Sequence, residues 1–175
     1  VFWQGNDYNA IIKSFFPNPY PDLALLEVNI NEHPCVYLDD FIQIGDELYC
    51  YGYYDESMNG DSALFVYEGP YNEIQPFYKL KNAQARPGLS GSPLLNLATG
   101  TVCGILKRSR DIYTDLGGLA VPTKTIFKYF SELEHNQKKY HETNEFWIKC
   151  LRSYHGRGVE CFLFSKKDIL SRINS

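Results

Sequence analysis

Arg86-Pro87-Gly88-Leu89-Ser90-Gly91-Ser92-Pro93 sets a serine between two glycines, with Pro93 closing the turn and an apolar segment beyond it. A serine hydroxyl is a weak nucleophile. A site that uses one exposes it on a tight turn and aims backbone N–H groups at the oxyanion that develops. Gly88 and Gly91 permit such a turn, because neither carries a side chain that blocks approach or restricts φ. Ser90 is therefore the leading candidate for chemistry in this chain.

Around the turn the chain reads as many short strands: Glu47–Tyr54, Ala63–Glu68, Phe77–Asn82, Pro93–Asn96, Thr101–Lys107 and Leu119–Val121. Turn signals separate them at Met58-Asn59-Gly60-Asp61, Glu68-Gly69-Pro70 and Thr99-Gly100. Short strands with regular turns predict a closed barrel or a sandwich. Nearer the N-terminus, Val1–Gln4 and Tyr8–Phe15 flank Gly5-Asn6-Asp7 and read as a β-hairpin. Pro17, Pro19 and Pro21 then break the ladder and predict an extended surface segment. Leu23–Val28 comes next as a strand opened by Asp22, and residues 29–40 read as a connection between two subdomains. After Pro122, Ile126, Phe127, Phe130 and Leu133 recur at helical spacing and predict one amphipathic helix of about three turns. A second helix carries Phe146, Trp147, Cys150 and Leu151, with Thr143 as its N-cap. In the tail, Val159–Phe164 reads as a strand and Lys167–Ile173 as a helix.

Composition is that of an ordinary globular chain: 175 residues, 44% hydrophobic and 22% charged, with 14 Tyr and 11 Phe suiting strands. A net charge of −4 argues against nucleic acid as a partner, because no basic stripe exists to neutralise phosphates. Lys107-Arg108-Ser109-Arg110 is the one notable basic cluster. No apolar run is long enough to span a bilayer and no signal-peptide pattern occurs, so no membrane partner is expected. Five cysteines without CxxC spacing read as reduced core thiols of a cytoplasmic protein. Only His33 and Cys35 lie at ligand spacing on one element, so neither a metal nor another cofactor is expected.

Gly88-Leu89-Ser90-Gly91-Ser92-Pro93 resembles the nucleophile motif Gly-x-Ser-Gly-x-Pro of the chymotrypsin/trypsin-like serine proteases. Leu94-Leu95-Asn96-Leu97 and Gly100-Thr101-Val102-Cys103-Gly104-Ile105-Leu106 look like the next two strands in that family. Gln43-Ile44-Gly45-Asp46-Glu47-Leu48, with Tyr51-Gly52-Tyr53, is similar to the opening strand of the second barrel in the bacterial high-temperature-requirement branch. Gly117-Gly118-Leu119-Ala120-Val121-Pro122 resembles that barrel's last strand. Pro21-Asp22-Leu23-Ala24-Leu25-Leu26 is similar to the segment that holds the triad aspartate, although Asp22 also reads as a cap on the turn after Pro21.

The resemblance implies a mainly β fold, a chymotrypsin-like double β-barrel with its first barrel incomplete and helices at its C-terminal end. Residues 1–40 would be the remainder of the first barrel and the connection, and 41–122 the barrel carrying the nucleophile. Residues 123–153 would be a helical appendage, and 154–175 a tail or the start of another module. It implies Ser90 as nucleophile, Asp22 as the residue that orients the base, and the Gly88 and Ser90 N–H groups as oxyanion hole. Gln84 would stand at the pocket floor, with Ser109 and Gly118 near the walls. With no acid at the floor, a preference for Lys or Arg is not supported. Lys107 and Arg108 read either as favouring acidic substrates or as a solvated charge run.

The family's base histidine precedes the aspartate, whereas His33, His135, His141 and His155 all come after Asp22 and read as solvated or structural. Either the base lies upstream of a chain that begins midway through the first barrel, or the base has been lost. Residues 1–28 amount to about half a six-stranded barrel, which favours the first. The expected function is a serine endopeptidase acting on a protein or peptide; the alternatives are a peptide-binding pseudoprotease and a non-proteolytic esterase. The esterase is disfavoured by strands rather than strand–turn–helix around Ser90. Residues 123–151 resemble the helical segment after the trypsin-like domain in large bacterial conflict and signalling proteins, which continue into ATPase or sensor modules. That resemblance implies a cytoplasmic defence effector, against the alternative of a freestanding protease.

Overall fold

The computed structural model describes residues 1–3, 5–30, 35–53, 60–72, 74–110 and 116–144, in two compact units divided between Cys35 and Val36. In the first unit, β1 (Phe2–Trp3) pairs with β2 (Asn6–Asp7) in the register Phe2↔Asp7 and Trp3↔Asn6. Asn6 and Asp7 are thus strand residues, and the longer hairpin expected between Val1–Gln4 and Tyr8–Phe15 does not form. Instead β3 (Ala10–Phe16) pairs antiparallel with β4 (Leu23–Val28), from Ala10↔Val28 to Phe16↔Leu23. The proline segment between them is a turn, not the extended run expected. Proline stops a ladder because it has no N–H, but its fixed φ equally suits a reversal of the chain. The Asn18–Pro19 and Tyr20–Pro21 bonds in this turn are cis, and Asp22 leaves it with φ 60°.

The second unit contains six strands at the expected places: β5 (Glu47–Gly52), β6 (Asp61–Tyr71), β7 (Phe77–Lys81), β8 (Pro93–Asn96), β9 (Thr101–Ser109) and β10 (Gly118–Pro122). Glu68-Gly69-Pro70 is not the turn expected: β6 continues through it to Tyr71, and the glycine, at φ 130°, falls at a register shift in the β6–β7 ladder. All neighbours are antiparallel, in the closed order β10-β7-β6-β5-β8-β9. Closure leaves no unpaired strand edge. Along β5 the outward Glu47, Tyr49 and Tyr51 alternate with the inward Leu48 and Cys50, and Phe65 of β6 stands opposite Leu48. Leu48, Cys50, Phe65, Leu80, Leu94, Leu106 and Ala120 belong to one core that excludes water. Full burial of each large apolar side chain contributes about 1.5–3 kcal/mol. Asn96, also fully buried, is satisfied by polar partners: its Nδ2 donates to Asp46 Oδ2 at 2.8 Å and its Oδ1 accepts from Ala98 N at 2.9 Å.

Pro122 leads into α1 (Thr123–Tyr129), and α2 (Ser131–Thr143) comes after it. The single helix expected through Ile126 and Leu133 is therefore two helices, broken at Phe130, where φ is −131° and ψ 68°. Helical spacing reports which side chains are buried, and it persists across a break in the backbone. Thr143 is the last residue of α2, its Oγ1 donating to Lys139 O at 2.8 Å, so it is not the expected N-cap. The helix expected around Trp147 and the elements expected after residue 153 lie outside the described residues. Residues 37–39 pack within the second unit. Val102 N donates to Tyr37 O at 2.9 Å and Asp39 N to Val102 O at 3.0 Å. From α2, the Gln137 amide donates to Leu38 O and accepts from Leu38 N, both at 2.8 Å. Among the described residues no helix is long and apolar enough to cross a membrane.

Candidate active site

Gly88 and Gly91 have φ of 92° and 90°, backbone that residues with a Cβ rarely adopt. Between them the chain makes a tight double turn, with Leu89 N donating to Arg86 O at 3.2 Å and Ser92 N to Leu89 O at 3.1 Å. Gly91 N donates to Leu106 O at 2.7 Å and Leu106 N to Ser92 O at 2.9 Å, which stitches the turn to β9. Leu89 is sunk into the barrel core at 2% exposure, while the adjacent Ser90 is exposed. The Ser90 hydroxyl donates to Lys107 O at 2.8 Å. Among the described residues, the N–H groups of Gly88 and Ser90 have no acceptor within the protein.

Beneath the turn, Ser92 hydrogen-bonds the buried Cys50. Burial pushes the Cys50 thiol up to about 11, against a smaller opposing pull from Ser92, and pushes the Cys103 thiol up to about 12. Both therefore remain protonated and inert near neutral pH. Neither competes with Ser90 as a nucleophile.

The residues expected around the pocket meet at the end of the barrel that carries Ser90. Gln84 forms a parallel bridge with Gly117, and Gly118 lies opposite Ser109 between β10 and β9. A Cβ at Gly118 would stand 2.8 Å from Arg108 O and 3.2 Å from Ala85 Cβ, so a glycine is needed there for close packing. Gln84 Oε1 accepts from Arg86 Nε at 3.0 Å, and both residues line a groove of about 320 Å³ together with Asp61 and Leu89. Ser109 and Gly118 do not line that groove. The Ser109 hydroxyl is buried without a hydrogen-bond partner among the described residues.

The basic cluster is partly engaged within the protein. Arg110 Nη1 contacts Glu68 Oε2 and Leu116 O, each at 3.1 Å, and Lys79 reaches the same carboxylate at 3.2 Å. Lys79 foremost, with Arg110, holds the Glu68 carboxyl below its ordinary range. Lys107 Nζ lies 5.9 Å from the centroid of the Phe77 ring.

Asp22, in the first unit, is exposed just ahead of β4. On α2, His135 is exposed and His141 is buried, edge-on to Tyr37 at 5.2 Å and Tyr140 at 5.4 Å. Burial lowers the His141 imidazole below its ordinary value, with a smaller opposing pull from the Val36 backbone. His33 and His155 lie outside the described residues. Among the described residues no group of three His, Cys, Asp or Glu side chains could hold a metal ion. The supporting pair Cys50–Ser92 escapes sequence reasoning, because a contact between residues 42 positions apart has no local signal.

Comparison with solved structures returns proteases. The serine endoprotease from Yersinia pestis is 22% identical with a TM-score of 0.58, the match covering 72% of this chain and 44% of that one. The HtrA-type protease AlgW with tripeptide is 25% identical with a TM-score of 0.54, covering 66% and 41%. A variant of the same protease with decapeptide is 23% identical with a TM-score of 0.52, covering 66% and 37%. The alignments thus span about two fifths of those structures. No curated protein sequence matches significantly. The model of the trypsin-like peptidase domain matches residues 1–105, more than half of the chain and inclusive of both Asp22 and the Ser90 turn, and on that match the protein belongs to the trypsin-like peptidase family.

Proposed function

We propose that the protein is a serine endopeptidase that works through an acyl-enzyme. Ser90 attacks a peptide carbonyl and passes its proton to a histidine oriented by Asp22. The N–H groups of Gly88 and Ser90 receive the oxyanion, and loss of one such donor costs about 10²–10³-fold in rate. Collapse expels the amine, which takes the proton back from the histidine. Water then attacks the ester, giving up a proton to the same histidine, and Ser90 is regenerated. The histidine is assigned to the family position ahead of the aspartate, N-terminal to Val1. Gln84, Ser109 and Gly118 are assigned to substrate binding, and the structural neighbours solved with a tripeptide and a decapeptide support a peptide as ligand. The helices after the barrel fit a protease domain of a larger regulated bacterial protein, cytoplasmic, with ATPase or sensor modules in the same or a partner chain.

The observation that carries this reading is the exposed hydroxyl between two positive-φ glycines, beside two N–H groups with no acceptor of their own among the described residues. A fluorophosphonate serine trap tests it in the full-length protein. Ser90 should carry the adduct, and Ser90→Ala should abolish labelling; labelling that survives the substitution sinks the assignment. One observation favours a second reading: the Ser90 proton is committed to Lys107 O. A pseudoprotease that binds peptides without cutting them would take no label yet retain a peptide.

A further inference from the structure

We propose that Gly52 is a positioning residue for Ser90, its missing side chain forming the seat into which the nucleophile turn docks. This deepens, and rests on, the assignment of Ser90 as nucleophile. Gly52 ends β5 and is buried, and it is not among the residues with positive φ. Any L-residue could adopt its backbone, so what the position requires is space. A Cβ there would collide with Ser92 Oγ and stand 2.9 Å from Leu89 Cδ2.

Both atoms are side-chain ends, and clearing the methyl group means that Ser92 Oγ leaves Cys50 and that Leu89 shifts within the core. The Ser92 hydroxyl is held by Cys50, and Leu89 is packed into the barrel core. Residues 89 and 92 bracket Ser90 and Gly91. A methyl group at position 52 therefore pushes on both shoulders of the turn and lifts it from β9, where Gly91 N–Leu106 O and Leu106 N–Ser92 O hold it. Gly52 acts through Leu89 and Ser92, without a role at the reacting atoms.

Gly52→Ala in the full-length protein tests the seat by two readouts. Amide hydrogen exchange should lose protection at Gly91 and Leu106 while the β5 and β6 amides keep theirs. Fluorophosphonate labelling of Ser90 should slow by about a hundredfold, the scale of an ångström misplacement of a reacting group. Ser92→Thr adds bulk from the turn's side, leaves β5 intact and should have the same local effect. Gly52→Ala combined with Ser92→Gly should recover much of the protection. Unchanged protection at Gly91 and Leu106 in both single variants overturns the proposal, as does a loss shared equally by β5 and β6. Loss confined to the turn in a protein whose wild type never labels supports the seat and overturns Ser90 as nucleophile.

Discussion

Ile12 of β3 and Phe65 of β6 are both large apolar residues in antiparallel strands, yet Ile12 is 64% exposed and Phe65 is fully buried. The difference lies in what surrounds the strand. β6 has a ladder on each side and an interior filled by the facing strands, whereas β3 and β4 form a sheet of two strands. Register stacks Ile12 against Leu26 and Phe15 against Ala24, gathering apolar side chains that remain largely exposed. A two-stranded sheet is marginal in water, while a closed barrel has a core to lose. The candidate residues divide along this line. Ser90 rests on the closed barrel, and Asp22 on the two-stranded sheet.

The contrast can be broken or sharpened by measurement. Phe65→Ala should destabilise the barrel by about 3–5 kcal/mol, the usual result of emptying a buried aromatic site. A smaller loss in chemical denaturation would mean that the barrel core is less tightly packed than its burial indicates. His141 should give an intermediate, pH-dependent effect. Its lowered value means that the unfolded chain takes up the proton first as pH falls through the ordinary 6.5. Stability is therefore full above that pH and declines below it, until the folded state also protonates. Denaturant midpoints in mild acid and at neutral pH should converge in His141→Phe; an unchanged pH dependence would exclude this histidine as the source. Ile12→Thr should change stability by less than about 0.5 kcal/mol, as at other exposed sites. A loss above about 2 kcal/mol would mean that further chain or a partner covers that face in solution.

Where alternation and turns are local, the fold is legible. Leu48 and Cys50 alternate with Glu47, Tyr49 and Tyr51, and Thr99-Gly100 separates two strands, so the places of all six barrel strands can be read from the chain. Glu68-Gly69-Pro70 misleads, because a glycine and proline pair marks a bulge within a strand as readily as a turn at its end. The pairing of Ala10–Phe16 with Leu23–Val28 is obscured by three prolines, which signal the end of a ladder without telling whether the chain continues or reverses. The break at Phe130 is hidden because buried positions keep their period on either side of it. At the site, Gly88 and Gly91 announce themselves because positive φ is a property of single residues. Gly52 does not, since its requirement arises only once Leu89 and Ser92 are folded against it.

The two-point bond between Gln137 and Leu38 makes a side-chain carboxamide imitate a neighbouring peptide unit. Recognition runs entirely through the backbone of residue 38, so the identity of its side chain is free to drift while position 137 is not. A carboxylate at 137 could still accept from Leu38 N but would turn an acceptor toward Leu38 O. Related chains should therefore vary at 38 and hold a carboxamide at 137, an asymmetry of mutational freedom across one contact.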